Sequence, residues 1–189
     1  NFIIVEGLHV LSLPMMRNQC DIKIFLDLEE NLRRDLKIER DTKQRGYKNE
    51  EVIKVIERRK LDETKYIETQ KKYADVVIKT FSTPNYWFDN TAERFVVELT
   101  SNQTLYFDIL ARTLVYICDL GVEVSYGDKS KIIINGSPTK HDIEVAAKKL
   151  VINYNDILSI KPKWSGGVKG IIQLLGIVHI SYFFEERVV

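Results

Sequence analysis

The chain has 189 residues, of which 44% are hydrophobic and 29% are charged, and its formal net charge is +1. This balance excludes a mainly disordered chain, and the length allows one domain with a sizeable core, with or without a small appendage. A net charge so close to zero gives no general attraction to nucleic acid or to an anionic membrane, so any basic site must be local.

The two cysteines and the apolar stretches indicate the cellular compartment of the protein. Cys20 and Cys118 stand apart without a CxxC or Cys/His spacing, so neither a zinc site nor a disulfide framework is indicated. No signal-like segment opens the chain, and Gln173 and His179 interrupt its longest apolar stretch, residues 171–184. The sequence therefore predicts a cytoplasmic protein that is neither exported nor inserted into a membrane.

The first apolar run, residues 2–5, is rich in strand-forming residues and is followed by Glu6 and Gly7. Such a run predicts a strand that is buried on both faces of a parallel sheet. Ligands of open α/β sheets gather at the carboxyl ends of the strands, so the carboxylate of Glu6 is a candidate ligand for Mg²⁺. From the residues alone, an acid that simply follows a strand explains Glu6 equally well.

A charged, helix-favouring run extends from about residue 28 to Gly46. Lys37, Asp41 and Arg45 fall at i, i+4 and i+8, with Arg40 one position away, so cations and a carboxylate share a helix face that can hold a phosphate. A charge run taken alone more often marks a solvated helix face. Gly46, however, is a common helix C-cap, and it places Arg45 in a last turn where the chain changes direction.

The remaining elements follow from hydrophobic periodicity and turn residues. In the first half the predicted elements are a strand over 21–27, a helix over 50–72 with a basic cluster at 58–60, a strand over 74–79 and a boundary at 82–85. In the second half they are a strand pair over 94–100 and 103–108, a helix over 108–120, a hairpin over 122–126 and 131–135, and helices over 137–151 and 168–185.

These elements predict an α/β fold in two segments. Residues 1–81 form part of a parallel sheet flanked by helices, and residues 82–189 form a mixed α+β region that completes the core, covers the site or makes subunit contacts. Residues 82–189 contain no catalytic constellation, because His141 and His179 stand alone. The glycine-rich stretch over 166–170 is interpreted as a turn or a helix start.

Four motifs occur in order over the first 80 residues. They are E-G-L-H at 6–9, R-D-x-x-x-R-G at 40–46, R-R-x-x-D-x-x-x-Y-I-E-x-Q at 58–70 and K-K-Y-A-D-V-V-I at 71–78. Together they resemble the phosphoribulokinase and uridine kinase family, and they lie closer to its phosphoribulokinase branch. Because several separately weak motifs keep the family's order and approximate spacing, the resemblance is far more specific than one short motif.

The resemblance implies a P-loop-kinase-type sheet and an ATP-dependent kinase with Mg²⁺ as cofactor. It implies transfer to a hydroxyl of a sugar phosphate, converting ribulose 5-phosphate to ribulose 1,5-bisphosphate, with a uridine or nucleoside kinase as the alternative. The expected roles fall into three sets: Lys37, Arg40 and Asp41 are catalytic; Arg45, His9, Arg58 and Arg59 bind the substrate; Glu6 and Asp41 bind the metal.

The sequence departs from the family in two ways. The phosphate loop G-x-x-x-x-G-K-[ST] does not occur in the 189 residues, although these kinases carry it upstream of the segment present here. We therefore expect an absent N-terminal portion and no kinase activity from the chain by itself; a non-catalytic regulatory or interaction protein is the other interpretation. Residues 67–70 read I-E-T-Q where the family usually has I-x-P-Q. Homo-oligomerisation stays open.

Overall fold

Five short strands form one open sheet in the computed structural model, which describes residues 3–83, 94–102, 104, 106–158 and 160–188. The strand order is β1-β2-β3-β5-β4; β1 and β2 are parallel and every other neighbouring pair is antiparallel. The strands are β1 (Ile24–Leu28), β2 (Val76–Thr83), β3 (Arg94–Ser101), β4 (Gly121–Ser125) and β5 (Ser130–Asn135). The predicted α/β class is confirmed.

Helices flank the sheet, and the second and third α-helices lie between the two parallel strands in the sequence. The α-helices are α1 (Pro14–Arg17), α2 (Glu30–Glu39), α3 (Asn49–Tyr66), α4 (Phe107–Cys118), α5 (Lys140–Leu150), α6 (Tyr154–Ile157) and α7 (Gly167–Val188). A π-helical turn, Arg40–Gln44, continues α2, and a 3₁₀ segment, Glu68–Tyr73, follows α3. The connection between β1 and β2 therefore contains the whole predicted basic region.

The main hydrophobic core lies between the sheet and the helices of the second half. Strand residues of β2, β3 and β5 and helix residues of α4, α5 and α7 belong to one buried cluster. Each fully buried aliphatic side chain contributes about 1.5–3 kcal/mol to folding. In contrast, α2 and α3 bury one apolar side chain each, Leu32 and Val52. The two helices of the basic region thus depend less on apolar packing than the rest of the fold.

Three predictions for the second half are confirmed. The hairpin of β4 and β5 is antiparallel, with Gly121 opposite Asn135. Helix α5 begins after Thr139, whose hydroxyl accepts the Asp142 N–H while the Asp142 carboxylate accepts the Thr139 N–H. Such a reciprocal capping box satisfies two backbone donors at the start of the helix. The glycine-rich stretch is the start of α7, as expected.

The predicted strand over residues 2–5 is wrong for the residues that the structure describes. Ile3 and Ile4 are 91% and 88% exposed in an irregular segment, and Phe2 lies outside the described residues. A strand needs a neighbour for its backbone hydrogen bonds, and within the described ranges no strand pairs with this segment. Glu6 consequently does not stand at the end of a buried strand.

The predicted strand over residues 103–108 is also wrong where it can be compared, because α4 begins at Phe107. Gln103 and Leu105 lie outside the described residues. Tyr106 and Phe107 are fully buried, so the apolar run anchors the first turn of a helix rather than one face of a strand. β3 pairs with β2 and β5 instead.

Two boundaries in the first half differ from the predictions. The helix expected over 50–72 ends at Tyr66, and a 3₁₀ segment carries the chain to Tyr73. The boundary expected at 82–85 is part of β2 at Ser82 and Thr83, whereas Pro84 and Asn85 lie outside the described residues. β2 joins β3 in the same sheet, so strands of both predicted segments share one sheet.

Helix α7 is the most apolar long helix of the described residues. Its segment Gly167–Glu185 is long and apolar enough to cross a membrane by length and composition. The core helix of a soluble protein passes the same test. In this structure Leu174, Leu175 and Val178 of α7 are fully buried in the main core.

One polar pair is enclosed where α7 meets the start of α4. The Nδ1 atom of His179 lies 3.0 Å from the hydroxyl of Tyr106, and both residues are buried. The Nε2 atom of His179 has no hydrogen-bond partner among the described residues. Burial lowers the pKa of His179 below its usual range, although the charge of Asp75 opposes this shift. The folded protein therefore favours the neutral imidazole.

This pair predicts a pH-dependent stability. As the pH falls through about 6.5 towards the lowered pKa of His179, the unfolded chain takes up the proton first, so the folded state loses stability. His179→Gln cannot titrate, and its melting temperature should fall less than that of the wild type between about pH 7.5 and about pH 5.5. Thermal unfolding at both pH values tests this, with the exposed His141→Gln as the matched control. Equal losses in all three proteins would contradict the assignment.

Candidate functional site

The basic motif of residues 37–46 lies on α2 and on the π-helical turn that continues it. The Thr42 hydroxyl donates to the carbonyl of Ile38 at 2.7 Å, and the Tyr47 N–H donates to the carbonyl of Asp41 at 3.0 Å. Gly46 ends the turn with a φ of +73°, a left-handed conformation that glycine adopts without strain. Single π-helical turns inside helices occur frequently at functional sites.

Asp41 is the centre of a charge cluster, and its carboxylate is nearly buried at 9% exposure of the side chain. Oδ1 accepts from Arg40 Nε at 2.9 Å and from Arg45 Nη1 at 3.1 Å, while Oδ2 lies 3.7 Å from Lys37 Nζ. The spacing predicted this shared face. Three cations against one carboxylate leave a local surplus of positive charge, which favours an anionic ligand.

The same contacts set the protonation of Asp41. The hydrogen bond from Arg40 lowers the pKa of this carboxyl below its usual range, and the charges of Arg40, Arg45 and Lys37 add to the effect. Partial desolvation acts in the opposite direction but does not outweigh them. The carboxylate is consequently ionised at neutral pH and holds the cations in place.

A groove with a volume of about 1030 Å³ lies between α2 and α3, above the exposed side of β1. Lys37 and Arg40 line it from α2, Arg59 lines it from α3, and His9 lies at its margin. Apolar side chains also line the groove: Leu8, Phe25, Leu26, Leu36, Ile56 and Ile67. The groove therefore combines an apolar surface with cations on both walls. Acidic side chains line it as well: Asp27, Glu30, Glu57, Asp62 and Glu63.

The structure brings only part of the predicted set together. His9, Lys37, Arg40 and Arg59 line one groove. Arg45 is not part of the lining and is held by Asp41. The remaining predicted residues do not line it either: Asp41 is nearly buried, and Arg58 and Glu6 are exposed.

The two predicted Mg²⁺ ligands, Glu6 and Asp41, lie in different surroundings. Within the described ranges, no group of three or more histidine, cysteine, aspartate or glutamate side chains is placed to hold a metal ion. Of the two predicted ligands, Glu6 lies in the exposed segment before α1, and the carboxylate oxygens of Asp41 are occupied by three cations. We therefore assign no step to a metal at these two residues.

Sequence reasoning missed a second charge cluster at the far end of the groove. Asp27, in β1, pairs with Lys71 of the 3₁₀ segment at 2.8 Å, and Lys71 also pairs with Glu68. Arg33 of α2 contacts both Glu63 and Glu68. The acid at the end of β1 was visible in the sequence, but its partner lies 44 residues further along, and no short motif connects the two.

The segment that carries the basic motif is similar to a known protein family. Residues 1–86 match the sequence model described as the Phosphoribulokinase / Uridine kinase family. Over this segment the chain is similar to that family. The whole of the groove and both charge clusters fall within the matched segment.

Curated relatives come from both branches of the family. The chain is 42% identical over 81 residues to the phosphoribulokinase of Synechocystis sp., covering 43% of this chain and 24% of the relative. It is 33% identical over 125 residues to the chloroplastic phosphoribulokinase of Mesembryanthemum crystallinum, covering 66% of this chain and 30% of the relative. It is 40% identical over 77 residues to the uridine kinase of Staphylococcus haemolyticus, covering 40% of this chain and 37% of the relative.

The matches to the two branches differ in how far they extend along the chain. The similarity to the plant phosphoribulokinase continues for 125 residues, whereas that to the uridine kinase stops after 77. The chain spans about a quarter to just over a third of the length of these relatives. The predicted resemblance to the phosphoribulokinase and uridine kinase family is confirmed over residues 1–86.

The charge cluster predicts that two substitutions raise the pKa of Asp41 by different amounts. Arg40→Gln should raise this pKa the most, since it removes the hydrogen bond that lowers it, and Arg45→Gln should raise it less. Carboxyl-detected NMR titration measures both shifts. The control is Lys43→Gln, because Lys43 pairs with Glu39 and not with Asp41. A pKa of Asp41 that stays at its usual value in the wild type would show that the cluster does not form.

Proposed function

We propose that this chain is part of an ATP-dependent kinase that transfers a phosphoryl group to a hydroxyl of a sugar phosphate. The observation that supports the proposal is the groove between α2 and α3, which Lys37, Arg40 and Arg59 line inside the segment that matches the kinase family. Cations on both walls of one groove suit a ligand that brings a phosphate group with it.

Phosphoryl transfer is mostly a matter of positioning and charge neutralisation. Lys37 and Arg40 would neutralise charge on the transferred group, and Asp41 would hold Arg40 in the required orientation through its 2.9 Å contact. Arg59 would contact the acceptor's phosphate from the opposite wall. Arg45 and Arg58 are assigned to the same phosphate by family resemblance. ATP supplies the phosphoryl group, and Mg²⁺ would screen its phosphates.

Ribulose 5-phosphate is the acceptor that we put first. The longest similarity is to relatives named phosphoribulokinase, and an acceptor with its own phosphate uses the cations of both groove walls. Uridine is the second candidate, because the uridine kinases are about as identical over the first segment. The apolar lining from Phe25, Leu26 and Ile56 would also suit a nucleobase.

Other properties of the whole protein are proposals of the same kind. We propose a cytoplasmic location and leave homo-oligomerisation open. A non-catalytic protein that uses the kinase scaffold for regulation stays the alternative, because the 189 residues contain no G-x-x-x-x-G-K-[ST] loop. Sugar-phosphate binding without phosphoryl transfer by the complete protein would favour that alternative.

The acceptor assignment predicts selective binding to the groove. Isothermal titration should show that the 189-residue protein binds ribulose 5-phosphate more tightly than ribulose or uridine. Arg59→Lys keeps the charge but loses the planar fork that grips a phosphate through two parallel hydrogen bonds. A charge-assisted contact contributes on the order of 1.5–3 kcal/mol, so the Kd for ribulose 5-phosphate should rise roughly 10- to 100-fold.

The control for this measurement is Arg112→Lys, since Arg112 is an exposed arginine of α4 outside the groove. It should leave the Kd unchanged. Tighter binding of uridine than of ribulose 5-phosphate would select the nucleoside kinase. Absence of binding to all three compounds would overturn the proposed acceptor site of this chain.

A further inference from the structure

Helix α3 forms one wall of the groove but is weakly anchored by apolar packing. It spans 18 residues, and Val52, near its start, is its one buried residue. Towards its end Leu61 is 83% exposed, and Tyr66 is also exposed. The half of α3 that carries Arg59 therefore needs contacts other than a hydrophobic core to stay beside α2.

Ion pairs supply those contacts. Arg33 of α2 contacts Glu63 of α3, and the same nitrogen of Arg33 lies 3.4 Å from Glu68 in the 3₁₀ segment. Only about one-third of each of these three side chains is exposed. A second bridge, Lys60 to Glu30 at 2.6 Å, is about two-thirds exposed on both sides and is consequently more screened by solvent.

The pair of Arg33 and Glu68 is connected to the sheet. Glu68 also pairs with Lys71, and Lys71 Nζ lies 2.8 Å from Oδ2 of the nearly buried Asp27 in β1. Partial burial acts against the charged forms, but the contacts outweigh it, so the pKa of Glu68 is lowered and that of Lys71 is raised. Charges alternate in sign from Asp27 through Lys71, Glu68 and Arg33 to Glu63.

We propose that Arg33 is a positioning residue that holds the second half of α3 across the groove, with Lys71 and Asp27 as its anchor on the sheet. Arg33 contacts carboxylates on two different elements, so it fixes the separation of Arg59 on α3 from Lys37 and Arg40 on α2. The consequence for ligand binding rests on the proposed function, whereas the attachment of α3 does not.

Hydrogen exchange on the 189-residue protein tests the attachment directly. Arg33→Met should raise the exchange rates of amides in residues 57–66 roughly tenfold while those of α4, α5 and α7 stay unchanged. Lys60→Met should have a smaller effect, because its ion pair is more exposed. The exposed Arg112→Met controls for the substitution itself and should change nothing in α3.

A second variant tests whether the effect comes from the contact rather than from damage to α2. Glu63→Gln removes the partner on α3 with almost no change in size, and it should raise exchange in residues 57–66 as Arg33→Met does. In the double variant, exchange in residues 57–66 should be only slightly faster than in the single variant with the larger effect, because both substitutions break the same contact. Unchanged exchange in 57–66, or an equal rise over the whole chain, would overturn the positioning role.

A measurement of ligand affinity distinguishes a failure of this inference from a failure of the proposed function. If the wild type binds ribulose 5-phosphate, both Arg33→Met and Glu63→Gln should raise its Kd several-fold, although Glu63 carries no positive charge to lose. If the wild type does not bind the sugar phosphate, the proposed function fails, and the exchange data alone decide the role of Arg33. Loosening of α3 without any loss of affinity would restrict Arg33 to a structural role.

Discussion

The parallel pairing of β1 with β2 is the constraint on which the groove between α2 and α3 depends. Ile24 lies opposite Val76 in the register, and the Lys23 N–H donates to the Asp75 carboxylate at 2.7 Å beside the first pair. A parallel pair requires a long crossover, and here that crossover consists of α2, the π-helical turn, α3 and the 3₁₀ segment. Every cation lining the groove lies in this crossover, so pairing the strands also brings the walls of the groove together.

The two halves of the chain are stabilised by different forces. Helices α4, α5 and α7 share one apolar cluster with the sheet, whereas ion pairs of Arg33 with Glu63 and of Glu30 with Lys60 join α2 to α3. Apolar burial favours a single close-packed arrangement, while partly exposed ion pairs are individually weak and sensitive to salt. The groove thus lies on the part of the molecule with the least apolar packing.

The cluster around Asp41 shows how one carboxylate can organise a basic surface. Lys37, Arg40 and Arg45 would repel one another if they stood alone on a helix face, and the nearly buried carboxylate offsets that repulsion. The π-helical turn adds one residue to the hydrogen-bonded loop, and Gly46 then reverses the chain. Within this cluster Asp41 holds Arg40 through the 2.9 Å contact with its Nε.

Local sequence patterns determined much of the secondary structure of this protein. The charged helix, the shared face of Lys37 and Asp41, the hairpin of β4 and β5 and the start of α7 all depend on neighbours within a few residues, and the sequence predicted them. The failures depend on contacts between residues that are distant in the sequence. A strand exists only with a partner, so the apolar run at residues 2–5 did not determine its own conformation. The contact of Arg33 with Glu68 joins residues 35 positions apart, and only the folded crossover could bring them together.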